Sequence, residues 1–192
     1  MAHTLILHAH PRPRDSRVTA ALGRTLAALP GARVHPLYDR YPDFDIDVAA
    51  EQRALAEARL IVWLAPVYWY SVPGLLKHWF DTVLAHGWAY GHGAHGAPAR
   101  ALAGKTAWWV ASAGGTPGAY QPGGAHGRPF AEFVAPVEHV ARFCGMHWLP
   151  PFVAHGGHAQ DDDTLRARCA ALADLARAHQ AALEPGAEEA AA

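Results

Sequence analysis

The chain has 192 residues, 51% of them apolar and 17% charged, with sixteen basic against seventeen acidic residues and a formal charge of −1. That length suits one domain able to bury about 70% of its unfolded surface, and the mixture is not that of a disordered chain. Balanced charge excludes a protein whose main work is neutralising phosphate backbones, so no nucleic-acid partner is expected. Two cysteines, Cys144 and Cys169, are too few for a disulfide framework or a cysteine-based zinc site.

The opening MAHTLILHAHPRPRDS holds an apolar run too short for a secretory signal. No segment reaches the roughly 20 apolar residues of a membrane helix, so a cytoplasmic protein is expected. Residues 4–9 read as a buried strand running into the turn-rich HPRPRDS. A helix follows from about Ser16, with Val18, Ala21, Leu22, Leu26 and Leu29 on one face and Pro30-Gly31 ending it. Residues 32–38 suit a second strand, YPDFDID a loop, and VAAEQRALAEA a short amphipathic helix. RLIVWLAP is a third strand ended by Pro66, VYWYSVPG a loop of aromatics, and LLKHWFDTVLA a helix with Pro73 near its first turn. The connector GWAYGHGAHGAPARALAG leads to a fourth strand, KTAWWVAS, which runs into the glycine-rich AGGTPGAYQPGGAHGRP. FAEFVAPVEHVARFCG reads as helix despite Pro136, MHWLPPFVAHG as a fifth strand, and DDDTLRARCAALADLARAHQAALE as a closing helix. Residues 1–184 form the domain, and residues 185–192 read as a disordered tail.

Five strands that are apolar along their length and alternate with helices predict an α/β fold. Its parallel sheet is covered by helices on both faces, in the flavodoxin-like strand order. In such sheets ligands lie beyond the carboxyl ends of the strands, which draws attention to the loops after strands one, three and four.

The first loop has neither G-x-G-x-x-G nor a Walker A pattern. It offers His10, Arg12, Arg14, Ser16 and Arg17 directly before a helix, which suits a phosphate held at a helix N-terminus. An N-cap Ser16 among solvated arginines fits the same residues. The second loop, Pro66, Val67, Tyr68, Trp69 and Tyr70, can line a flat apolar cofactor or pack in a core or dimer contact. In the third, Ser112, Ala113, Gly114 and Gly115 let backbone N–H groups approach a ligand, and Tyr120 and His126 can donate to a developing anion. Either of the latter alone reads equally as an ordinary loop residue. Of fourteen histidines, His8 and His10 would point the same way from a strand, and His92/His95 and His155/His158 sit in glycine-rich segments. None carries an H-E-x-x-H pattern or a carboxylate at ligand spacing, and no metal site is expected.

Taken together, AHP…S, P-x-x-WYS-x-P-x-LLK-x-W-x-D, YPDFDID, HGWAYG, the glycine-rich loop and CGMHWLPPF resemble the flavodoxin-like NAD(P)H:quinone oxidoreductases over roughly residues 4–180. The similarity is greatest to the branch of ancillary flavoproteins of glutathione-gated bacterial potassium efflux systems. The resemblance implies a flavin phosphate and ribityl chain at His10, Ser16, Arg17, Val18 and Thr19. It sets the isoalloxazine against Pro66, Val67, Tyr68, Trp69 and Tyr70 and against Ser112, Ala113, Gly114 and Gly115. Tyr120 and His126 match the pair flanking the flavin's pyrimidine edge, where they would stabilise charge as hydride arrives. The family often has Asn near Thr19 and two Thr where this chain has Ser112 and Ala113, so side-chain donors are lost at both places.

The implied activity is that of an NAD(P)H dehydrogenase of the quinone-reducing type, passing two electrons from NAD(P)H through FMN to a quinone by ping-pong kinetics. FMN is preferred to FAD because the chain lacks the C-terminal extension of the long FAD enzymes. Azo- or nitro-reduction, and a non-catalytic flavin-binding regulatory subunit, are the alternatives. A one-electron carrier would be strongly acidic around its flavin, against which the −1 charge speaks. The branch further implies docking on a potassium–proton antiporter at the inner membrane. The family implies a homodimer with the site at its interface, for which Trp88 and Tyr90 read as exposed contact aromatics.

Overall fold

The layers follow from alternation along each strand. The computed structural model describes residues 3–184, the side chain of His158 apart, so the tail expected at 185–192 lies outside the described residues. Five strands, β1 (Thr4–His8), β2 (Ala32–Pro36), β3 (Leu60–Pro66), β4 (Thr106–Ala113) and β5 (His147–His155), pair in parallel in the order β2-β1-β3-β4-β5. Along β3, Ile61, Trp63 and Ala65 enter one core while Leu60, Val62 and Leu64 enter the other. Side chains alternate faces with period two, so a strand buried on both faces is apolar throughout.

Helices α1 (Val18–Ala27) and α6 (Asp162–Ala182) cover one face, contributing Val18, Leu22, Leu26, Leu165 and Leu172. Helices α3 (Val48–Glu57), α4 (Gly74–Val83) and α5 (Phe130–Phe143) cover the other with Leu55, Leu76, Trp79, Val134 and Val137. The flavodoxin-like sheet and its two helical layers match the expected fold. Pro150 and Pro151 are tolerated because β5 is an edge strand. They fall at a register shift where Trp108 pairs with Leu149 and Val110 with Phe152, one residue more on β5 than on β4.

Element ends differ from the sequence reading by one or two residues, and at two of them the cause is plain. The second strand ends at Pro36 and not at residue 38, because Leu37–Arg40 (α2) turns into a short helix with Leu37 fully buried. The first helix begins at Val18 and not at Ser16, because a 3-10 turn, Pro13–Asp15, intervenes and Ser16 stands extended.

Beside α2 lies a buried carboxylate. Glu51 has no solvent exposure and accepts from Tyr41 Oη at 2.8 Å, His35 Nδ1 at 3.1 Å and Trp79 Nε1 at 3.1 Å, with Arg40 Nε at 3.5 Å. Burial pushes its pKa up, but the bonds from His35, Tyr41 and Trp79 outweigh this and hold it below the usual carboxylate value. The cluster ties β2, α2, α3 and α4 together on one flank.

Candidate active site

At the carboxyl ends of β1, β3 and β4 opens a cleft of about 190 Å³. It is lined by His10, Ser16, Arg17, Val18, Thr19, Pro66, Val67, Tyr68, Ser112, Ala113, Gly114 and Gly157. Between β1 and β3 the strand order reverses, which is where α/β sheets leave a crevice. All three predicted loops converge here.

The first wall is the start of α1. Ser16 Oγ accepts from Ala20 N at 3.1 Å, so this hydroxyl caps its own helix. The N–H groups of Val18 and Thr19, in the first turn, have no intrahelical acceptor and form the positive end of the helix. Arg17 departs from the expectation of a phosphate-facing guanidinium. Its Nη1 donates to Gln160 O at 2.7 Å and its Nη2 to Asp162 Oδ1 at 2.6 Å, because the acidic first turn of α6 lies within reach. Arg12 is drawn to Asp15 at 3.8 Å, and Arg14 is exposed. His10 lies outside β1, so it and His8 are not strand neighbours on one face; its Nδ1 accepts from Arg12 N at 3.1 Å. Among the described residues no three His, Cys, Asp or Glu side chains gather as a metal site.

Thr19 Oγ1 and Ser112 Oγ meet at 2.7 Å on the cleft floor, buried, linking α1 to β4. Two hydroxyls that share one bond keep one hydrogen to donate, so the site retains a side-chain donor that the sequence reading counted as lost.

The second wall is Pro66, Val67 and Tyr68, with Val67 N bonded to Ser112 O at 2.8 Å. Tyr68 and Ser71 exchange two backbone bonds of 3.0 Å and close a two-residue turn over Trp69 (φ 49°) and Tyr70 (φ 65°). Left-handed backbone at both central positions is the type I′ pattern, normally filled by Asn and Gly. A tryptophan and a tyrosine held there cost of order 1–3 kcal/mol each, and such strain concentrates at functional sites. Contrary to the expectation of a lining role, the turn carries both rings off the cleft wall. Trp69 is 89% exposed, and Tyr70 packs against His126 (5.6 Å between centroids) and Phe133 (5.0 Å).

The third wall is the main chain of Ala113 and Gly114. A Cβ on Gly114 would meet nothing within 4 Å, whereas one on Gly115 would stand 2.8 Å from His126 Nε2 and 2.9 Å from Tyr120 Cε2. Gly115 is therefore glycine because two rings lie against it. Tyr120 and His126 stack at 4.2 Å and 25°, held by the His126 N bond to Ala119 O at 2.9 Å. The six-residue spacing thus becomes a contact pair next to the Gly114–Gly115 wall, although neither ring is part of the lining itself. Tyr120 is a buried residue, not a surface one. Burial pushes its hydroxyl pKa up, the Gly115 main chain opposes the shift, and Tyr70 adds to it.

Gly157 had no place in the sequence reading. It lies in the turn after β5, whose His155 and Gly156 both donate to Gly115 O. The signal was present in VAHGGH, since the rule about strand ends applies to the fifth strand as much as to the other four.

Trp88 and Tyr90, expected as exposed aromatics, are half-buried against the core of the α3–α4–α5 face. The exposed ring nearby is Phe143, 62% exposed and 5.1 Å from Tyr90. Among the described residues no helix is long and apolar enough to cross a membrane.

A five-stranded parallel sheet with an open helix N-terminus and a glycine wall at its switch point defines a flavodoxin-type binding protein. A family model described as the flavodoxin-like fold matches residues 2–176, and the chain belongs to that family. It is 46% identical over 164 residues to the glutathione-regulated potassium-efflux system ancillary protein KefF of Citrobacter koseri, covering 85% of this chain and 89% of that one. General stress protein 14 of Treponema denticola, solved in complex with FMN, superposes with a TM-score of 0.80 at 34% identity. That match covers 95% of this chain and 99% of the other. The NADPH-quinone reductase of P. pentosaceus gives 0.79 at 31% identity, covering 91% and 97%.

Proposed function

We propose that the protein is a cytoplasmic FMN-dependent NAD(P)H:quinone oxidoreductase that also serves as an ancillary subunit of a potassium efflux antiporter. The observation that carries this reading is the single cleft formed by the three loops, with its donor set matched to a phosphorylated flat ring. N–H groups of Val18 and Thr19 at the positive helix end suit a phosphate, and the hydroxyl pair of Thr19 and Ser112 suits a polyol. The space over Gly114 and between Pro66 and Tyr68 suits a ring approached by main-chain N–H groups. FMN, when bound, supplies two-electron acceptance from a reduced nicotinamide and donation to a quinone.

The chain's own contribution is positioning and charge stabilisation. Tyr120 and His126 carry O–H and N–H groups in a fixed stack beside the Gly114–Gly115 wall. A tyrosine hydroxyl is protonated at neutral pH and burial raises its pKa further, so Tyr120 acts as a neutral hydroxyl and not as an anion. Tyr70 closes over His126 from the second loop, linking the two walls. Support for the quinone acceptor comes from the quinone-reductase relative, support for a potassium-efflux partner from the KefF relative, and support for FMN from the Treponema denticola complex. A homodimer is part of the proposal, with Phe143 and Tyr90 as rings available to the contact.

The test is direct. Purified protein should be yellow and release FMN on denaturation. NAD(P)H should bleach the bound flavin anaerobically, and a quinone should restore it. A colourless protein that takes up neither FMN nor FAD in titration rejects the reading. The antiporter role is tested by co-purification with the antiporter of the same genome.

A further inference from the structure

The turn that follows β5 grips the glycine wall from behind. Gly115 O accepts from Gly156 N at 3.0 Å and from His155 Nδ1 at 3.3 Å, so two successive residues hold one carbonyl. The imidazole is itself fixed, flanked by Tyr120 (5.4 Å) and Phe130 (5.1 Å), with Arg168 donating to its main-chain carbonyl. One residue further on, Gly157 reaches the cleft wall in left-handed backbone (φ 46°), and a Cβ there would stand 3.0 Å from Gly114 Cα. The same turn is anchored to the first wall, because Gln160 O takes the Arg17 guanidinium and Gln160 Nε2 donates to Gly157 O at 3.0 Å.

We propose that His155 and Gly157 are positioning residues for the cofactor cleft, clamping the main chain of Gly114 and Gly115 in the orientation that meets the ligand. The inference rests on the reading of the cleft as a flavin site. Two adjacent glycines have the widest backbone freedom of any dipeptide, and a ligand that meets the main chain at Gly114 must otherwise order it itself. Holding the Gly115 carbonyl from outside fixes the Gly115–Thr116 peptide plane, and the close approach of Gly157 to Gly114 Cα limits the residue before it, so the wall is set before the ligand arrives. For Nδ1 to bond a carbonyl it must carry the hydrogen, so the bonded tautomer leaves Nε2 as an acceptor. Asparagine places an amide N–H near the position of Nδ1–H; glutamine carries it one methylene too far, and leucine removes it.

The experiment titrates FMN into the full chain freed of flavin, for wild type, His155→Leu, His155→Asn, His155→Gln and Gly157→Ala. Flavin fluorescence gives the affinity and visible circular dichroism the geometry of the bound ring. His155→Leu, His155→Gln and Gly157→Ala should each weaken FMN about tenfold and alter the dichroism. His155→Asn should stay within about twofold of wild type with its spectrum preserved. If His155→Leu folds poorly, the contrast of Asn with Gln decides alone. Wild-type affinity in the Leu or Gln variants, or an Asn variant as weak as Gln, overturns the proposal. Hydrogen exchange at the Gly156 amide needs no ligand and separates the two ideas. In a chain that takes up no FMN the flavin reading fails. Faster Gly156 exchange in His155→Leu, with core amides unchanged, still supports the clamp, and unchanged exchange removes it.

Discussion

Two polar clusters of similar size stand on opposite terms with the fold. Around Glu51, donors from His35, Tyr41 and Trp79 converge on one buried carboxylate. At the cleft, the Val18 and Thr19 N–H groups, the Thr19–Ser112 hydroxyl pair and the Gly114 main chain border open space. A satisfied buried network rigidifies a fold, whereas groups whose bonds are left to a ligand contribute little to the free protein's stability. The first cluster should therefore govern stability and the second binding, and each substitution below can break that division.

The largest effect is expected from Glu51→Ala, which strands several buried donors. It should cost roughly 3–5 kcal/mol, a fall in Tm on the order of 10 °C for a domain of this size. FMN affinity of the folded fraction should be unchanged. The effect should also depend on pH. Glu51 titrates lower in the folded chain than its ordinary value of 4.5, so the stabilisation is complete above that value and lost as pH falls below it. Calorimetry should show wild type and variant converging toward the acid end. A constant difference would mean that the carboxylate's charge is not what the donors hold.

Ser16→Glu is the converse. A negative charge beside the open end of α1 should weaken FMN by about a hundredfold through repulsion of the phosphate, while the flavin-free Tm moves by only about 2–4 °C, since the lost Ser16 cap is offset in part by the carboxylate's attraction to the helix end. Unchanged FMN affinity would put the phosphate elsewhere.

Smaller again is the effect expected from the proposed role of the ring pair. Tyr120→Phe and His126→Ala should retain FMN but slow its reduction by NAD(P)H. Loss of one donor costs about 10²–10³ in a dry site, and a cleft open to solvent should lose nearer tenfold. If the pair acts as a unit, the double variant should be little worse than the worse single one. Stopped-flow rates within about twofold of wild type in both singles would remove the pair from the mechanism.

The smallest shift concerns the strained turn. Replacing Trp69 by Asn together with Tyr70→Gly satisfies the type I′ backbone and should raise stability by about 1 kcal/mol, after the loss of Tyr70 packing on His126. Turnover should fall as stability rises. A stabilised variant with full activity would make the strain a mere accident of packing.

The apolar strands and the amphipathic helices were legible because burial on both faces leaves a strand no polar position, as in LIVWLAP. The strand order came instead from the count of five strands alternating with helices, which suits the flavodoxin-like order. Pro66, Val67, Ala113 and Gly114 could be singled out because they stand at or just past a strand's carboxyl end. What failed was direction. Arg17 is basic and near a helix start, yet Asp162, 145 positions later, captures it. Trp69 looked like a ring for a flat ligand, but the turn that carries it swings it into solvent. Trp88 looked exposed because a glycine-rich connector reads as surface, whereas the loop folds back on the core.

By itself, then, the amino-acid sequence determined the alternation of elements, the edge of the sheet where ligands gather, and the residue types brought to that edge. These depend on local periodicity and on chain chirality, which neighbouring residues specify. Only the tertiary structure decided which of those side chains remain open. Thr19 meets Ser112 across 93 positions, Gly115 is held by a turn 40 positions later, and Glu51 collects donors from three other elements. A donor is available to a ligand only if no distant acceptor reaches it first, and that competition is settled by packing between segments that no local pattern describes.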